Sequence, residues 1–133
     1  MTGEWFQAVG VDIVEVARVR AILDRHHTRF LARVFTAQEV ADCAGRPASL
    51  AARWAGKEAV SKALGCGWEG LRWTDIEIVR LPGGRPGVVL YGQAQVMAAQ
   101  LGLTQWAISL SHADAYAVAF VMASGTRPGG GRD

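Results

Sequence analysis

Cysteine is nearly absent from this chain: Cys43 and Cys66 are the only two in 133 residues. They lie too far apart for a metal-binding or dithiol motif, so reduced thiols in a cytoplasmic protein are expected. No apolar run of membrane-spanning length is free of charges or turn residues, so no membrane partner is expected. The opening "MTGEWFQ" lacks a basic stretch followed by an apolar one, so no secretory signal is expected. Nor is there much excess charge. Fourteen Lys and Arg against twelve Asp and Glu leave +2. That is too little to argue for nucleic acid, and it suits an anionic ligand or an acidic protein partner. The chain also has no phosphate-cradling Walker loop, no GxGxxG after a strand, no HExxH and no GxSxG. Nucleoside-triphosphate hydrolases, nicotinamide enzymes, zinc proteases and serine hydrolases are therefore poor fits.

What is present suits one domain over residues 1–123. Half the residues are hydrophobic and 20% are charged, enough apolar material for a core. Residues 6–13 read as a buried strand and 15–25 as a helix, with Val16, Val19, Ile22 and Leu23 at helical spacing. "TAQE" (36–39) is a capping box that opens a short helix, which Gly45 and Pro47 end. Ser49 is placed to cap a helix over 50–64 that stops at Gly65. Strands are expected at 75–81 and 87–91 around the turn "PGGRP", and a helix at 93–101 ended by Gly102. A second hairpin is expected from 106–112 and 115–123. The Gly-rich residues 124–133 read as a flexible tail. Two hairpins among helices imply an α+β class: a mainly antiparallel sheet with helices packed on one face.

One carboxylate stands out. In "VGVDIVEV" (9–16), Asp12 is surrounded by apolar residues. A buried, unpaired carboxylate costs several kcal/mol or gives up its charge, so something must hold it. The helix "LAARWAGKEAVSKALG" (50–65) supplies a possible answer. Ala52, Ala55, Ala59 and Ala63 form a stripe that another element can approach closely. Arg53, Lys57 and Lys62 crowd around Glu58 on a half that also carries Trp54, Leu50 and Ser61, which reads as a partly buried groove. An ordinary Glu58–Lys62 pair at i,i+4 is one reading. The other is a phosphate held by the cations, with a metal bridging from Glu58 and Asp12. His112, in "SLSHADAY" with Ser109 and Ser111, suits either a structural strand end or a place beside phosphate oxygens. Arg85 suits an exposed turn, with an anion within its reach.

Four segments, in this order and at these distances, resemble one family. They are "GVDIVEVARV", "FTAQE", "RWAGKEAVSKALG" and "SLSHADAYAVA", spanning residues 8 to 123. They resemble the holo-acyl-carrier-protein synthases, the small trimeric branch of the 4′-phosphopantetheinyl transferase superfamily. The resemblance implies that fold and a reaction. The 4′-phosphopantetheine group of coenzyme A passes to a serine of an apo acyl carrier protein of fatty-acid or polyketide synthesis, and adenosine 3′,5′-bisphosphate leaves. It implies Mg²⁺ on Asp12 and Glu58, with Asp12, Glu58 and Lys62 as the catalytic group. Arg53, Lys57, Ser61, Lys62, Arg85, Pro86, Ser111 and His112 would bind coenzyme A. Arg18 and Arg25, which share one side of the first helix, would meet the acidic carrier. A homotrimer with active sites between subunits is implied as well. The proton of the attacking serine has three candidate acceptors: Glu58, Asp12 through water, or water alone. Two departures from the family pattern are Trp54, usually Phe, and Gly56, usually Ala; room for the ligand or for Trp54 is one reason for Gly56. A non-enzymatic nucleotide-binding module would need the cations and not both carboxylates. A hydrolase would need a further water-activating base.

Overall fold

Strand β1 (Trp5–Glu15) runs directly into helix α1 (Val16–Val34). Helices α2 (Ala37–Cys43) and α3 (Pro47–Ala63) follow, then a 3-10 turn at Trp73–Asp75. The chain continues through β2 (Ile76–Arg80), β3 (Pro86–Leu90), α4 (Gly92–Leu101), β4 (Leu103–His112) and β5 (Tyr116–Thr126). The computed structural model describes residues 4–127. β1, β5 and β4 form an antiparallel sheet in that order, and β2 and β3 form a separate hairpin. The α+β class, the two hairpins and the capping box stand as expected. Thr36 Oγ1 accepts from the Glu39 amide, and the Glu39 carboxylate accepts from the Thr36 amide.

α3 is the centre of the molecule. Twelve of its seventeen residues are buried, as a helix that is covered on all sides must be. It lies across the inner face of the three-stranded sheet, with α1, α2 and β2 packed around it. The alanine stripe allows this closeness. A Cβ on Gly10 of β1 would stand 1.9 Å from the Ala59 carbonyl oxygen, so only glycine fits where the strand crosses the helix. Gly56 makes room for core side chains and not for a ligand or Trp54: an added Cβ would meet Ile78 at 3.1 Å and Ile108 at 3.2 Å.

Several sequence expectations change. β1 is not buried throughout. Gly10, Asp12 and Val14 face α3, while Val9, Val11 and Ile13 lie on the outer face, 58, 54 and 61% exposed. The strand's period of two puts its apolar residues and its carboxylate on opposite sides. α1 continues past residue 25 to Val34 through a break at His26 (φ −136°, ψ 38°), because Phe30 and Val34 resume the buried stripe. α3 begins at Pro47, whose missing N–H costs nothing at the first helical position; Arg46, not Ser49, is its N-cap. The tail begins later than residue 124. β5 extends to Thr126, and the Arg127 amide donates to the Glu4 carbonyl (2.7 Å). Gly125 belongs to this strand because a Cβ there would lie 1.8 Å from the Gly102 oxygen. The flexible-tail expectation for 128–133 lies outside the described residues.

Candidate active site

Asp12 is held by Lys62. The lysine Nζ donates to Asp12 Oδ1 (3.1 Å) and to the Val11 carbonyl (2.9 Å). The Asp12 side chain is 16% exposed and that of Lys62 is 55%, so the pair sits at the mouth of the crossing between β1 and α3. Glu58 precedes Lys62 by one helical turn, yet these two residues do not form the i,i+4 pair. Glu58 Oε1 instead accepts a short hydrogen bond from the Trp68 indole N–H. Trp68 stacks on Trp73 with centroids 3.8 Å apart. Trp73 meets the edge of Trp54 at 6.0 Å. Asp12 of the strand thus meets the Lys62 ammonium of the facing helix, and Glu58, one turn earlier on that helix, is held by the indole instead.

A second cluster lies on the other side of α3. From Arg53, a helix turning 100° per residue carries Glu58 about 140° and Lys62 about 180° round the axis. Arg53 therefore faces the β4 edge, where it lines an open groove of about 320 Å³ with Asp42, Ser49, Arg80, Pro86 and His112. His112 is on the inner face of the sheet, opposite Ala117, which in turn pairs with Val14. Arg53 Nη1 donates to the Ile78 carbonyl and lies 3.6 Å from an Asp42 carboxylate oxygen, so the guanidinium is pinned at the groove wall.

Other expected coenzyme ligands are not at either cluster. Lys57 is wholly buried. Its Nζ pairs with Glu39 (2.7 Å) and donates to the carbonyls of Trp73 and Ile76. Burial pushes this ammonium below its ordinary value near 10.5, against the opposing pull of Glu39. Lys57 is thus a core cation with its donors spent. Ser61 is buried as well, and its hydroxyl donates to the Glu58 carbonyl (2.7 Å). Ser111 pairs with Val118 on the outer face of the sheet, away from His112. Arg85 lines the adjoining crevice with Leu81 and Trp106. Trp54 and Leu50 are buried inside the chain, 9% and 1% exposed, so they line no open groove. On α1, Arg18 and Arg25 are both exposed, and the Arg18 guanidinium lies over the Trp54 ring at 5.2 Å.

Sequence reasoning missed Glu39 as the partner of Lys57, Trp68 as the partner of Glu58, and Arg80, Asp42 and Ser49 as groove walls. Only the Glu39 contact had a usable signal. A capping-box glutamate before an apolar helix points inward, and a buried carboxylate needs a cation.

The family model for the 4′-phosphopantetheinyl transferase superfamily matches residues 8–121. The chain belongs to this superfamily. The holo-[acyl-carrier-protein] synthase of Moorella thermoacetica is 51% identical over 116 residues, covering 85% of this chain and 90% of its relative. That of Gloeobacter violaceus is 42% identical over 130 residues, covering 94% and 98%. Among solved structures, the Helicobacter pylori holo-[acyl-carrier-protein] synthase in complex with coenzyme A superposes with a TM-score of 0.79 at 31% identity, covering 86% of this chain and 98% of that one. The Chronobacterium ammoniagenes synthase–coenzyme A complex gives 0.81 at 28% identity, covering 92% and 99%. The protein is an enzyme, a phosphopantetheinyl transferase. Among the described residues of this transferase, no helix is long and apolar enough to cross a membrane.

Asp12 and Glu58 are the carboxylates available to a divalent cation. Among the described residues no three His, Cys, Asp or Glu side chains gather, so an ion there would take at most two such side chains. Mg²⁺ is bound in this way, through one or two carboxylates with its other positions given to water and phosphate oxygens. The ammonium of Lys62 against Asp12 Oδ1 marks a position where positive charge is already accommodated. The transferase's donor set fits Mg²⁺.

Proposed function

We propose that this transferase moves the 4′-phosphopantetheine group of coenzyme A to a serine hydroxyl of an apo acyl carrier protein in the cytoplasm, with Mg²⁺, releasing adenosine 3′,5′-bisphosphate. The serine oxygen bonds to the phosphorus that carries the pantetheine arm, the pyrophosphate P–O bond breaks with its electron pair going to the leaving bisphosphate, and the serine proton passes to Glu58, to Asp12 through water, or to water itself. The observation that supports this reading is the Lys62–Asp12 contact across the β1–α3 crossing, with Glu58 one helical turn before Lys62 and not paired with it. Asp12 and Glu58 would hold Mg²⁺, which when bound neutralises charge on the phosphate oxygens. Lys62 has an exposed ammonium free to swing from Asp12 to a phosphate oxygen once the carboxylate has another cation. The nucleophile belongs to the carrier, so no catalytic serine or cysteine is needed in this chain. The relatives crystallised with coenzyme A support that donor.

Arg53, Arg80, Pro86 and His112 would receive the nucleotide end of coenzyme A, and exposed Arg18 and Arg25 would meet the carrier's acidic surface. Because α3 separates the groove from the carboxylates, one chain does not assemble a whole site. A homotrimer resolves this if the groove of one subunit abuts the carboxylates of the next. The outer face of the sheet supports such assembly: Val9, Val11, Ile13, Phe120 and Met122 are 58, 54, 61, 44 and 36% exposed, an apolar patch that water alone covers poorly.

Mass spectrometry of an apo carrier incubated with enzyme, coenzyme A and Mg²⁺ tests the activity. One added phosphopantetheine is expected. An unmodified carrier would refute transfer, and consumption of coenzyme A without carrier modification would instead indicate a hydrolase.

A further inference from the structure

A glutamate one turn before a lysine on a helix normally pairs with it, and the Glu-then-Lys order is the favourable one. Glu58 and Lys62 have that spacing and do not pair. Lys62 goes to Asp12 and the Val11 carbonyl, while Glu58 Oε1 is taken by the Trp68 indole N–H. The indole is itself fixed. It stacks on Trp73 at an interplanar angle of 29°, and Trp73 is anchored twice. Its ring abuts the buried Trp54, and its carbonyl accepts from the buried Lys57 ammonium at 3.1 Å. The Cys66 amide donates back to the Ser61 carbonyl (3.3 Å), tying the start of the loop to the end of α3. Among the described residues no hydrogen bond reaches Glu58 Oε2.

We propose that Trp68 is a positioning residue: its indole N–H fixes the Glu58 carboxylate through Oε1, keeps it from pairing with Lys62, and presents Oε2 to the divalent cation. This rests on the reading of Glu58 as a cation ligand. A ligand held in advance by a hydrogen bond loses less freedom on binding, and such outer partners typically contribute about 10–100-fold in metal affinity or activity. The buried Lys57–Glu39 pair thereby acquires a role at the site it does not touch, since it holds the turn on which the stack rests.

Trp68→Phe keeps an aromatic ring against Trp73 and removes the N–H together with part of the stacking area. The expected result is a rise of about 10-fold in the Mg²⁺ concentration for half-maximal activity, with the KM for coenzyme A and for the carrier within about 2-fold and the fold retained by circular dichroism. Calorimetric titration of Mg²⁺ into the enzyme should show the same loss of affinity without turnover. A second measurement needs no Trp68 variant. Of the five tryptophan indole resonances, the one that moves in Glu58→Gln identifies Trp68, and it should shift in the wild type when Mg²⁺ is added. A wild-type Mg²⁺ response in Trp68→Phe, or an indole resonance indifferent to both Glu58→Gln and Mg²⁺, would overturn the positioning role and leave the transferase reading intact. Wild-type activity in Glu58→Gln would instead overturn the reading beneath it.

Discussion

At the scale of single residues, the two carboxylates proposed for the chemistry differ in their surroundings from the one that serves the core. Asp12 and Glu58 sit at a partly open edge, each with one oxygen engaged. Asp12→Asn and Glu58→Gln preserve shape and hydrogen bonding, so each should fold normally and lose at least about 100-fold in turnover, the upper end of what even indirect metal partners contribute. Circular dichroism and the carrier-modification assay check both halves, and near-wild-type activity at low Mg²⁺ would remove that residue from the site. Glu39 is the opposite case. It is wholly buried and accepts from the Thr36 and Ile78 amides as well as pairing with Lys57. Glu39→Gln removes the carboxylate that pairs with Lys57, leaving it two carbonyls and the more distant charge of Glu77, and should cost about 3–5 kcal/mol. Its pH dependence follows from Lys57. Burial already lowers that pKa, and removing Glu39 lowers it further. The folded variant then sheds a proton that the unfolded chain keeps up to about 10.5, so the unfolded state binds more protons and stability rises with pH through that window. Urea midpoints should show the gap between wild type and variant narrowing from pH 7 to pH 9. A constant or widening gap would mean that Lys57 does not titrate as its burial implies.

Elements were legible where local chemistry decides them. The Thr36–Glu39 capping box, the "PGGRP" turn and Gly102 after α4 each specify a backbone state through adjacent residues, and each stands as read. What was not legible depends on contacts distant in sequence. Nothing near Lys57 shows that Glu39 lies against it, and the polar run His26–Arg29 conceals that α1 resumes beyond its break. The outer face of β1 reads as core because Val9, Val11 and Ile13 carry no sign of which side is covered. Helical spacing alone sets Arg53 and Lys62 on opposite sides of α3, while which element lies against each side needed the helix to be placed on the sheet. That placement makes a prediction about glycines. At Gly10 a Cβ would lie 1.9 Å from the Ala59 oxygen and 2.8 Å from its carbonyl carbon, both rigid backbone atoms. Gly10→Ala should therefore cost about 3 kcal/mol or more and pull Asp12 away from Lys62. At Gly56 the neighbours are the side chains of Ile78 and Ile108 at 3.1–3.2 Å, which can shift. There the squeeze is offset by the helix preference of Ala, and Gly56→Ala should stay within about 1 kcal/mol of wild type. Denaturant curves for the two variants test whether β1 and α3 are as close as described; equal effects would contradict it.

At the scale of the whole molecule, the proposed site divides into two halves on opposite sides of one helix, and the proposal joins them through a second chain. If the groove of one subunit completes the carboxylates of its neighbour, a lesion in each half can be made good by a different chain. Glu58→Gln disables the carboxylate side, and His112→Ala disables the groove side without disturbing the core, since His112 is exposed. Each variant alone should form inactive trimers. Mixed in equal amounts, unfolded and refolded together, they should recover activity. A working site needs an intact Glu58 on one subunit and an intact His112 on the next, so random assembly in a closed ring restores about a quarter of the sites. Two lesions in the same half, Asp12→Asn with Glu58→Gln, give no such recovery under any pairing, because no subunit offers an intact carboxylate pair. Phe120→Asp, on the exposed apolar face, should prevent assembly and abolish the recovery while leaving the single chain folded, which sedimentation and circular dichroism would show. If the first mixture stays inactive while each variant is trimeric, both halves of the site come from one chain and the inter-subunit reading is wrong.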